Sequence, residues 1–130
     1  MPVELNHIII PARDKLESAT FLAHILGVPV GDQWGPFVPV QVSNGVTLDF
    51  ADGGEFASHH CAFLVSDEEF DAAFGRIQAE GVKFFADPHH DEPGAINHHW
   101  GGRGVYFEDP NGHNMELITK PYGSDPSGNA

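Results

Sequence analysis

The feature that most constrains the fold of this chain is an internal repeat. A strand-like segment that contains His7 precedes Asp14 and a helical segment, and His60 and Asp67 recur in the same order at one constant spacing. Both helical segments end in Gly-Val, and glycine after the last turn is a common stop signal for a helix. An Asn-Gly turn before an apolar run closes each half, which favours a hairpin. The sequence therefore predicts two copies of one supersecondary unit.

Each copy is predicted to contain a strand, a helix and two or three further strands. The helices are expected over Lys15–Leu26 and Glu68–Glu80, the second with a capping box between Ser66 and Glu69. Each helix has an apolar face that should pack on a sheet: Leu16, Ala19, Leu22, Ala23 and Leu26 in the first, and Phe70, Ala73, Phe74 and Ile77 in the second. The later strands are expected at residues 38–42, 46–50, 82–85, 104–108 and 114–119. The fold class is therefore α+β.

The predicted modules span about residues 3–52 and 57–120 of a single domain over residues 1–122. The second module is the longer one, with its extra residues between about Ala86 and Arg103. After Lys120 the composition turns to Pro, Gly, Ser, Asn and Asp. Such segments lack the apolar residues that fix a chain on a core, so residues 121–130 are predicted to form a flexible tail.

Composition narrows the classes of partner. The formal net charge is −13, from 6 basic and 19 acidic residues, so nucleic acid and anionic membranes would repel the chain. We expect no spanning helix, because the apolar runs are only a few residues long. The start of the chain shows no secretory signal. The single Cys61 excludes an internal disulfide and fits a reducing compartment. A cytoplasmic location is expected, with Cys61 buried and facing away from the site.

The chain has 9 histidines, and histidine is the commonest metal ligand. The repeat pairs His7 with His60, and Asp49 with Glu116. Glu116 stands between two apolar residues of a predicted strand, where a carboxylate is unfavourable unless it is paired or binds a cation. Two imidazoles and one carboxylate form the ligand set of non-haem Fe(II) sites, and they also suit Mn, Ni or Zn. We predict His7, His60 and Glu116 as metal ligands. Asp49 stays open between a fourth ligand and a solvated surface residue.

The extra segment of the second module carries two further His-His pairs among glycines. For His89 and His90 an exposed polar loop, a lid over the pocket and incidental surface metal binding all remain open, and His98 has no assigned role. Three aromatic residues outside the predicted helices are candidates to line a substrate pocket, although packing anchors would look the same: Trp34, Phe37 and Trp100.

The duplicated unit, with a histidine in the first strand of each half and Glu116 in the last strand, resembles the vicinal oxygen chelate superfamily over about residues 3–120. The resemblance implies two tandem βαβββ modules whose mixed sheets curl around a metal and ligand pocket. His7, His60 and Glu116 fall on the ligand positions of that family. Asp49 falls where members like glyoxalase I carry a fourth ligand, usually Glu. A homodimer is also implied, with the site either within one chain or shared between two.

The segment 97–116 is similar to the signature of extradiol ring-cleaving dioxygenases: a His, an apolar-Tyr pair, an acid-Pro, a Gly and then the ligand Glu. By this match His99 is implied as general acid–base, and Tyr106 as a hydrogen-bond donor to the substrate. The implied function is a metal-dependent enzyme, with Fe(II) the preferred metal, that acts on a small molecule with vicinal oxygens.

Two other functions stay open. One is an isomerase or lyase of glyoxalase or epimerase type, in which Asp49 or Glu116 moves a proton. The other is a metal-free antibiotic-binding protein similar to bleomycin resistance proteins.

Overall fold

The computed structural model describes residues 2–124 of the chain. Within that range it has two α-helices, seven β-strands and one short 3-10 helix. Two compact units are present, Met1–Ala57 and Ser58–Ala130. No helix in the described range is long and apolar enough to cross a membrane. The predicted flexible tail falls mostly on residues 125–130, which lie outside the described range.

The first unit is a helix on a three-stranded mixed sheet. It comprises strands β1 (His7–Ala12), β2 (Phe37–Gln41) and β3 (Thr47–Asp52), and helix α1 (Lys15–Leu26) between β1 and β2. The strand order is β1-β3-β2, with β1 parallel and β2 antiparallel to β3.

Helix α1 has the bounds that its sequence predicts. The Asp14 side chain accepts a hydrogen bond from the Glu17 backbone N–H at 3.1 Å, which caps the first turn. At the other end Gly27 adopts a φ of 74°, a left-handed conformation that glycine accepts without steric cost.

The apolar face of α1 is rotated relative to the predicted one. Ala19, Leu22 and Ala23 are buried as expected, together with Ser18 and Ile25. Leu16, in contrast, is 58% exposed, and Leu26 is only partly buried. The small Ser18 and Ala19 side chains allow the first turn to approach the sheet closely, which leaves Leu16 pointing outward. The prediction of Leu16 as a core residue was wrong.

The second unit is a four-stranded mixed sheet with one helix. It comprises strands β4 (His60–Leu64), β5 (Phe84–Phe85), β6 (Gly104–Glu108) and β7 (Asn114–Ile118), helix α2 (Asp67–Ala79) after β4, and the 3-10 helix His99–Gly101 before β6. The strand order is β4-β7-β6-β5. Strand β4 is parallel to β7, and the other two pairings are antiparallel. The unit has the predicted βαβββ order, whereas the first has βαββ.

The two sheets share one pairing register, which confirms the duplication. His7 of β1 pairs with Thr47 in the parallel ladder of the first unit. His60 of β4 pairs with Asn114 in that of the second. Asp49 and Glu116 each lie two residues further along the second strand, on the same face, because side chains alternate along a strand.

Helix α2 has the predicted capping box, in which Ser66 and Glu69 bond each other's side chain and backbone. Phe70, Ala73 and Ile77 are buried, and the Phe74 ring meets Phe84 of β5 edge-on at 4.9 Å. The opposite face of the sheet carries the polar side chains of His60, Tyr106 and Glu116.

Arg103 joins the start of β6 to this helix. Its guanidinium lies 4.4 Å above the Phe70 ring and binds the carboxylates of Asp67 at 3.1 Å and Asp71 at 2.7 Å. The hydrogen bond that Arg103 donates to the Asp71 carboxylate is the main cause of the raised pKa of Arg103. The contact holds the first turn of α2 against the strand that also carries Tyr106.

We predict that Ser66→Ala lowers the free energy of unfolding by about 1 kcal/mol, because the first turn of α2 loses its side-chain cap. Urea denaturation followed by circular dichroism measures the change. Ser43→Ala, in an exposed turn, is the matched control and should change stability by less than about 0.5 kcal/mol. Equal effects of the two substitutions would contradict the capping role.

Candidate functional site

The polar face of the second sheet is centred on Glu116 in β7. In the pairing register Glu116 lies beside Ala62 of β4 and beside Tyr106 of β6. His60 lies in register with Asn114, two residues before Glu116 on the same face. Cys61 pairs with Met115 and so lies on the other face, as predicted, but it is only partly buried rather than fully buried. Burial and then the charge of Asp109 raise the pKa of its thiol, so Cys61 is a protonated thiol at neutral pH.

Glu116 is a buried carboxylate with three close hydrogen bonds. The residue is 2% exposed. Its Oε1 lies 2.9 Å from Nε2 of His60. The Tyr122 hydroxyl donates to both carboxylate oxygens, at 3.1 Å to Oε1 and 2.9 Å to Oε2. These donors replace the water that the carboxylate loses on burial.

Two tyrosine hydroxyls meet above Glu116. The hydroxyls of Tyr106 and Tyr122 are 3.4 Å apart, and the Tyr106 ring lies 5.7 Å from that of His60. Burial, the hydrogen bond to Tyr122 and the charge of Glu116 together raise the pKa of Tyr106 far above its ordinary value. The hydrogen bond with Tyr106 lowers the pKa of Tyr122, but burial and Glu116 outweigh it and the net shift is upward. Both phenols are therefore protonated donors at neutral pH.

The first unit holds the other two predicted ligands. His7 is exposed at the start of β1, and its Nδ1 lies 2.8 Å from Oδ1 of Asn6. When Nδ1 donates that bond, Nε2 of the neutral ring carries the lone pair that a metal ligand needs.

Asp49 is buried in β3, with 3% of its surface exposed. The interpretation as a solvated surface residue is therefore wrong. It pairs with Ile9 of β1 and Pro39 of β2, and these apolar neighbours offer no hydrogen bond. Within the described residues its Oδ1 is a buried atom without a hydrogen-bond partner. Such an atom is unfavourable unless a cation or a proton donor meets it.

The remaining predicted residues lie at the start of β2, just before it and in the 3-10 helix. Trp34 and Phe37 pack on each other with ring centroids 4.9 Å apart, and Trp34 is 57% exposed. Trp100, with a φ of 61°, lies 6.3 Å from the Tyr122 ring. His99 is exposed in the 3-10 helix, where its backbone N–H donates to Asn97 Oδ1 at 3.3 Å. The hydrogen bonds around Glu116 in the described structure do not include the His99 ring.

In residues 2–124, no group of three His, Cys, Asp or Glu side chains converges to hold a metal ion. Two of the predicted ligands nevertheless meet the geometric requirement. His60 Nε2 and Glu116 Oε1 are 2.9 Å apart. Two neighbouring ligand atoms that each lie about 2.1 Å from one cation are about 3 Å apart, which matches this distance. The pair fits a divalent metal, whereas His7 and Asp49 belong to the other unit.

Tyr122 is the site residue that the sequence did not reveal. It lies in the Pro- and Gly-rich segment after β7, which composition assigns to a tail. Its contact with Glu116 depends on how the chain turns after the strand, where Ser124 donates two hydrogen bonds to the Pro121 carbonyl. An aromatic residue in that polar segment is the one signal that could have drawn attention to it.

The fold and the site define a protein of duplicated βα modules in which a buried acid contacts a histidine whose side chain is 44% exposed. The sequence matches the Glyoxalase/Bleomycin resistance protein/Dioxygenase superfamily over residues 4–117, and the chain belongs to that superfamily. It is similar to a solved structure called Oxidase ChaP-H2, with 56% identity and a TM-score of 0.94, over 99% of this chain and 100% of that one.

Two more distant proteins are also similar to this chain. Glutathione transferase FosA of Serratia marcescens is 27% identical over 120 residues, which are 87% of this chain and 78% of that protein. A structure of the fosfomycin resistance protein FosX of Listeria monocytogenes, complexed with Mn(II) and 1S,2S-dihydroxypropylphosphonic acid, is 23% identical with a TM-score of 0.71. It covers 94% of this chain and 96% of FosX. At this identity the likeness concerns the fold, in which that protein holds a divalent metal.

We predict that Tyr122→Phe lowers the free energy of unfolding by about 1 to 2 kcal/mol, because Glu116 loses the donor to both of its oxygens. Urea denaturation of metal-free protein measures the loss. The same substitution in a Glu116→Gln background should have a smaller effect, with a coupling of about 0.5 kcal/mol or more. Additive effects would show that the Tyr122 contact does not stabilise the carboxylate.

Proposed function

We propose that this protein is a metal-dependent enzyme that acts on a small molecule with vicinal oxygens, and that it oxidises this substrate in the manner of an extradiol dioxygenase. The observation that carries the proposal is the buried Glu116 carboxylate, 2.9 Å from His60 Nε2 and beside two phenolic hydroxyls 3.4 Å apart. The similarity to Oxidase ChaP-H2 supports an oxidative reaction.

The proposed metal ligands are His60, Glu116 and His7, with Asp49 as a fourth. Adjacent donor atoms on His60 and Glu116, the free Nε2 of His7 and the buried Oδ1 of Asp49 support this set. Fe(II) is the preferred metal, because two His and one carboxylate are its usual ligands in oxygenases, with Mn, Ni or Zn as alternatives. When bound, such an ion would supply chelation of both vicinal oxygens and reactivity towards O₂.

The tyrosines have a binding role in this proposal. Tyr106 and Tyr122 are both protonated. The Tyr122 hydroxyl donates to Glu116, so Tyr106 is the phenol that can turn its hydrogen to a substrate oxygen and stabilise negative charge on it. Glu116 is 2% exposed, and a hydrogen bond shielded from water is electrostatically stronger than one in water. His99 remains the proposed general acid–base, and its exposed position in a short 3-10 helix would require that segment to close over bound substrate. Trp34, Phe37 and Trp100 are proposed to line the pocket.

Two properties of the whole protein complete the proposal. The resemblance on which the ligand positions rest implies a homodimer, and the single Cys61 thiol suits a reducing cytoplasm.

We predict that purified protein reconstituted with Fe(II) without oxygen binds about one ion per chain. His60→Ala and Glu116→Ala should each weaken binding by about tenfold to a hundredfold or more, because even indirect supports of metal ligands contribute that much. Competition with a fluorescent chelator measures the affinity.

His24→Ala, at an exposed position of α1, is the matched control for loss of a histidine and should leave the affinity unchanged. Unaltered affinity in both site variants, or an equal loss in the control, would exclude the proposed ligands.

The second candidate function is an isomerase or lyase of glyoxalase type. The buried Asp49, whose Oδ1 has no hydrogen-bond partner in the described residues, favours it, because a desolvated carboxylate is suited to moving a proton.

We predict that the Fe(II)-loaded protein consumes oxygen with at least one member of a panel of catechols. If Asp49 is only a fourth metal ligand, Asp49→Asn should slow oxygen consumption less than about tenfold. An oxygen electrode measures the reaction, with chelator-treated protein as the control. Turnover of a hemithioacetal without oxygen uptake would favour the isomerase instead. In that case Asp49→Asn should lower the turnover rate about a hundredfold or more. Tight antibiotic binding that persists after metal removal would support a binding protein.

A further inference from the structure

The two carboxylate oxygens of Glu116 have different surroundings. Oε1 lies 2.9 Å from Nε2 of His60, whose side chain is 44% exposed, and 3.1 Å from the Tyr122 hydroxyl. Oε2 lies 2.9 Å from the same hydroxyl. A phenol has one hydrogen to donate, and the shorter distance favours Oε2 as its acceptor. Oε1 is therefore the oxygen turned towards the accessible histidine, and Oε2 is the oxygen that Tyr122 holds.

The turn after β7 directs the Tyr122 hydroxyl inward. The backbone N–H and the hydroxyl of Ser124 both donate to the Pro121 carbonyl, at 3.1 Å and 2.7 Å, so residues 121–124 form a closed turn. Tyr122 is 59% exposed, and the Trp100 ring lies 6.3 Å from its ring. Because most of the residue is exposed while its hydroxyl meets a buried carboxylate, the polar contact rather than burial of the ring defines where Tyr122 lies.

The chain just before Tyr122 is held against the residues that precede β6. The Arg103 backbone N–H donates to Thr119 Oγ1 at 2.8 Å, and the Thr119 N–H donates to the Arg103 carbonyl at 3.0 Å. Gly102 lies so close that a Cβ there would be 2.5 Å from Thr119 Oγ1, an approach that glycine allows because it has no side chain. These contacts fix the direction in which the chain leaves β7 and so return Tyr122 to Glu116.

The number of oxygens through which Glu116 binds a metal decides how many positions remain for the substrate. A carboxylate can bind a cation through one oxygen or through both. Binding through both takes two coordination positions, whereas chelation of two vicinal substrate oxygens needs open positions. A hydrogen bond to one oxygen disfavours binding through that oxygen, and such outer hydrogen bonds orient metal ligands. In this site the hydrogen bond is on Oε2, and Oε1 lies beside the second ligand atom.

We propose that Tyr122 is a positioning residue that holds Oε2 of Glu116, so that the carboxylate binds the metal through Oε1 alone. One coordination position beside Glu116 then stays open for a substrate oxygen. Tyr122 acts through Glu116, whereas Tyr106, whose hydroxyl lies 3.4 Å away, keeps the contact with the substrate. This inference rests on the proposed function, because it concerns the metal that His60 and Glu116 are proposed to bind.

The first test measures Co(II) binding, with the metal ion alone as the probe. Tyr122→Phe keeps the ring and removes the hydroxyl. It should weaken Co(II) binding by about tenfold to a hundredfold, as measured by competition with a fluorescent chelator, and change the visible absorption spectrum of the bound ion. Ser66→Ala is the matched control, because it destabilises the cap of α2 and leaves the Glu116 contacts intact. It should change neither the affinity nor the spectrum.

The second test is a pair of crystal structures with Zn(II). In the wild type we expect Glu116 Oε1 at about 2.1 Å from the ion, with Oε2 still bonded to Tyr122. In Tyr122→Phe both oxygens should lie within about 2.5 Å of the ion.

The outcomes separate this inference from the proposed function. Absence of Co(II) binding by the wild type overturns the proposed function and this inference together. An affinity and a spectrum that are the same in wild type and Tyr122→Phe overturn the role of Tyr122 alone. Tighter binding in Tyr122→Phe also overturns it, because Tyr122 would then compete with the metal for Glu116. Binding of Zn(II) through both Glu116 oxygens in the wild-type crystals overturns it as well.

Discussion

The burial of the Glu116 carboxylate in strand β7 is the constraint around which the second unit is organised. A charge that is 2% exposed is unfavourable unless donors replace its water. Strand β7 lies between β4 and β6, so the pairing register decides which side chains can reach Glu116. His60 contacts it from β4, and Tyr122 turns back to it from beyond β7. The arrangement of the site therefore follows from the hydrogen bonds that stabilise the buried Glu116 carboxylate.

The two copies of the repeat keep the same register but not the same chemistry. Asp49 and Glu116 are equivalent in sequence and are both buried. Glu116 has hydrogen bonds to both oxygens, whereas Asp49 Oδ1 has none within the described residues. The shorter Asp side chain lies between Ile9 and Pro39, which offer no donor. In the second copy the protein's own side chains supply the hydrogen bonds of Glu116. In the first copy Asp49 Oδ1 has no such partner within the described residues and is suited to bind a cation or a proton from outside.

Local patterns predicted the elements and the central acid–histidine pair. The bounds of α1 and the capping box of α2 follow from short-range hydrogen bonds that the sequence shows directly, and the repeat identified His60 and Glu116. Contacts made by loops could not be predicted in this way. Tyr122 reaches Glu116 through a turn after β7, and His90 reaches Asn114 through a loop closed by Asp87. These placements depend on tertiary packing, which neither composition nor periodicity encodes.

The central claim is that His60 and Glu116 bind one divalent cation together. Anomalous diffraction from crystals grown with Mn(II) tests it most directly. The account predicts an anomalous peak about 2.0 to 2.3 Å from both His60 Nε2 and Glu116 Oε1. A map in which manganese occupies only exposed histidines such as His89, with Tyr122 and His60 still bonded to a metal-free Glu116, would contradict it.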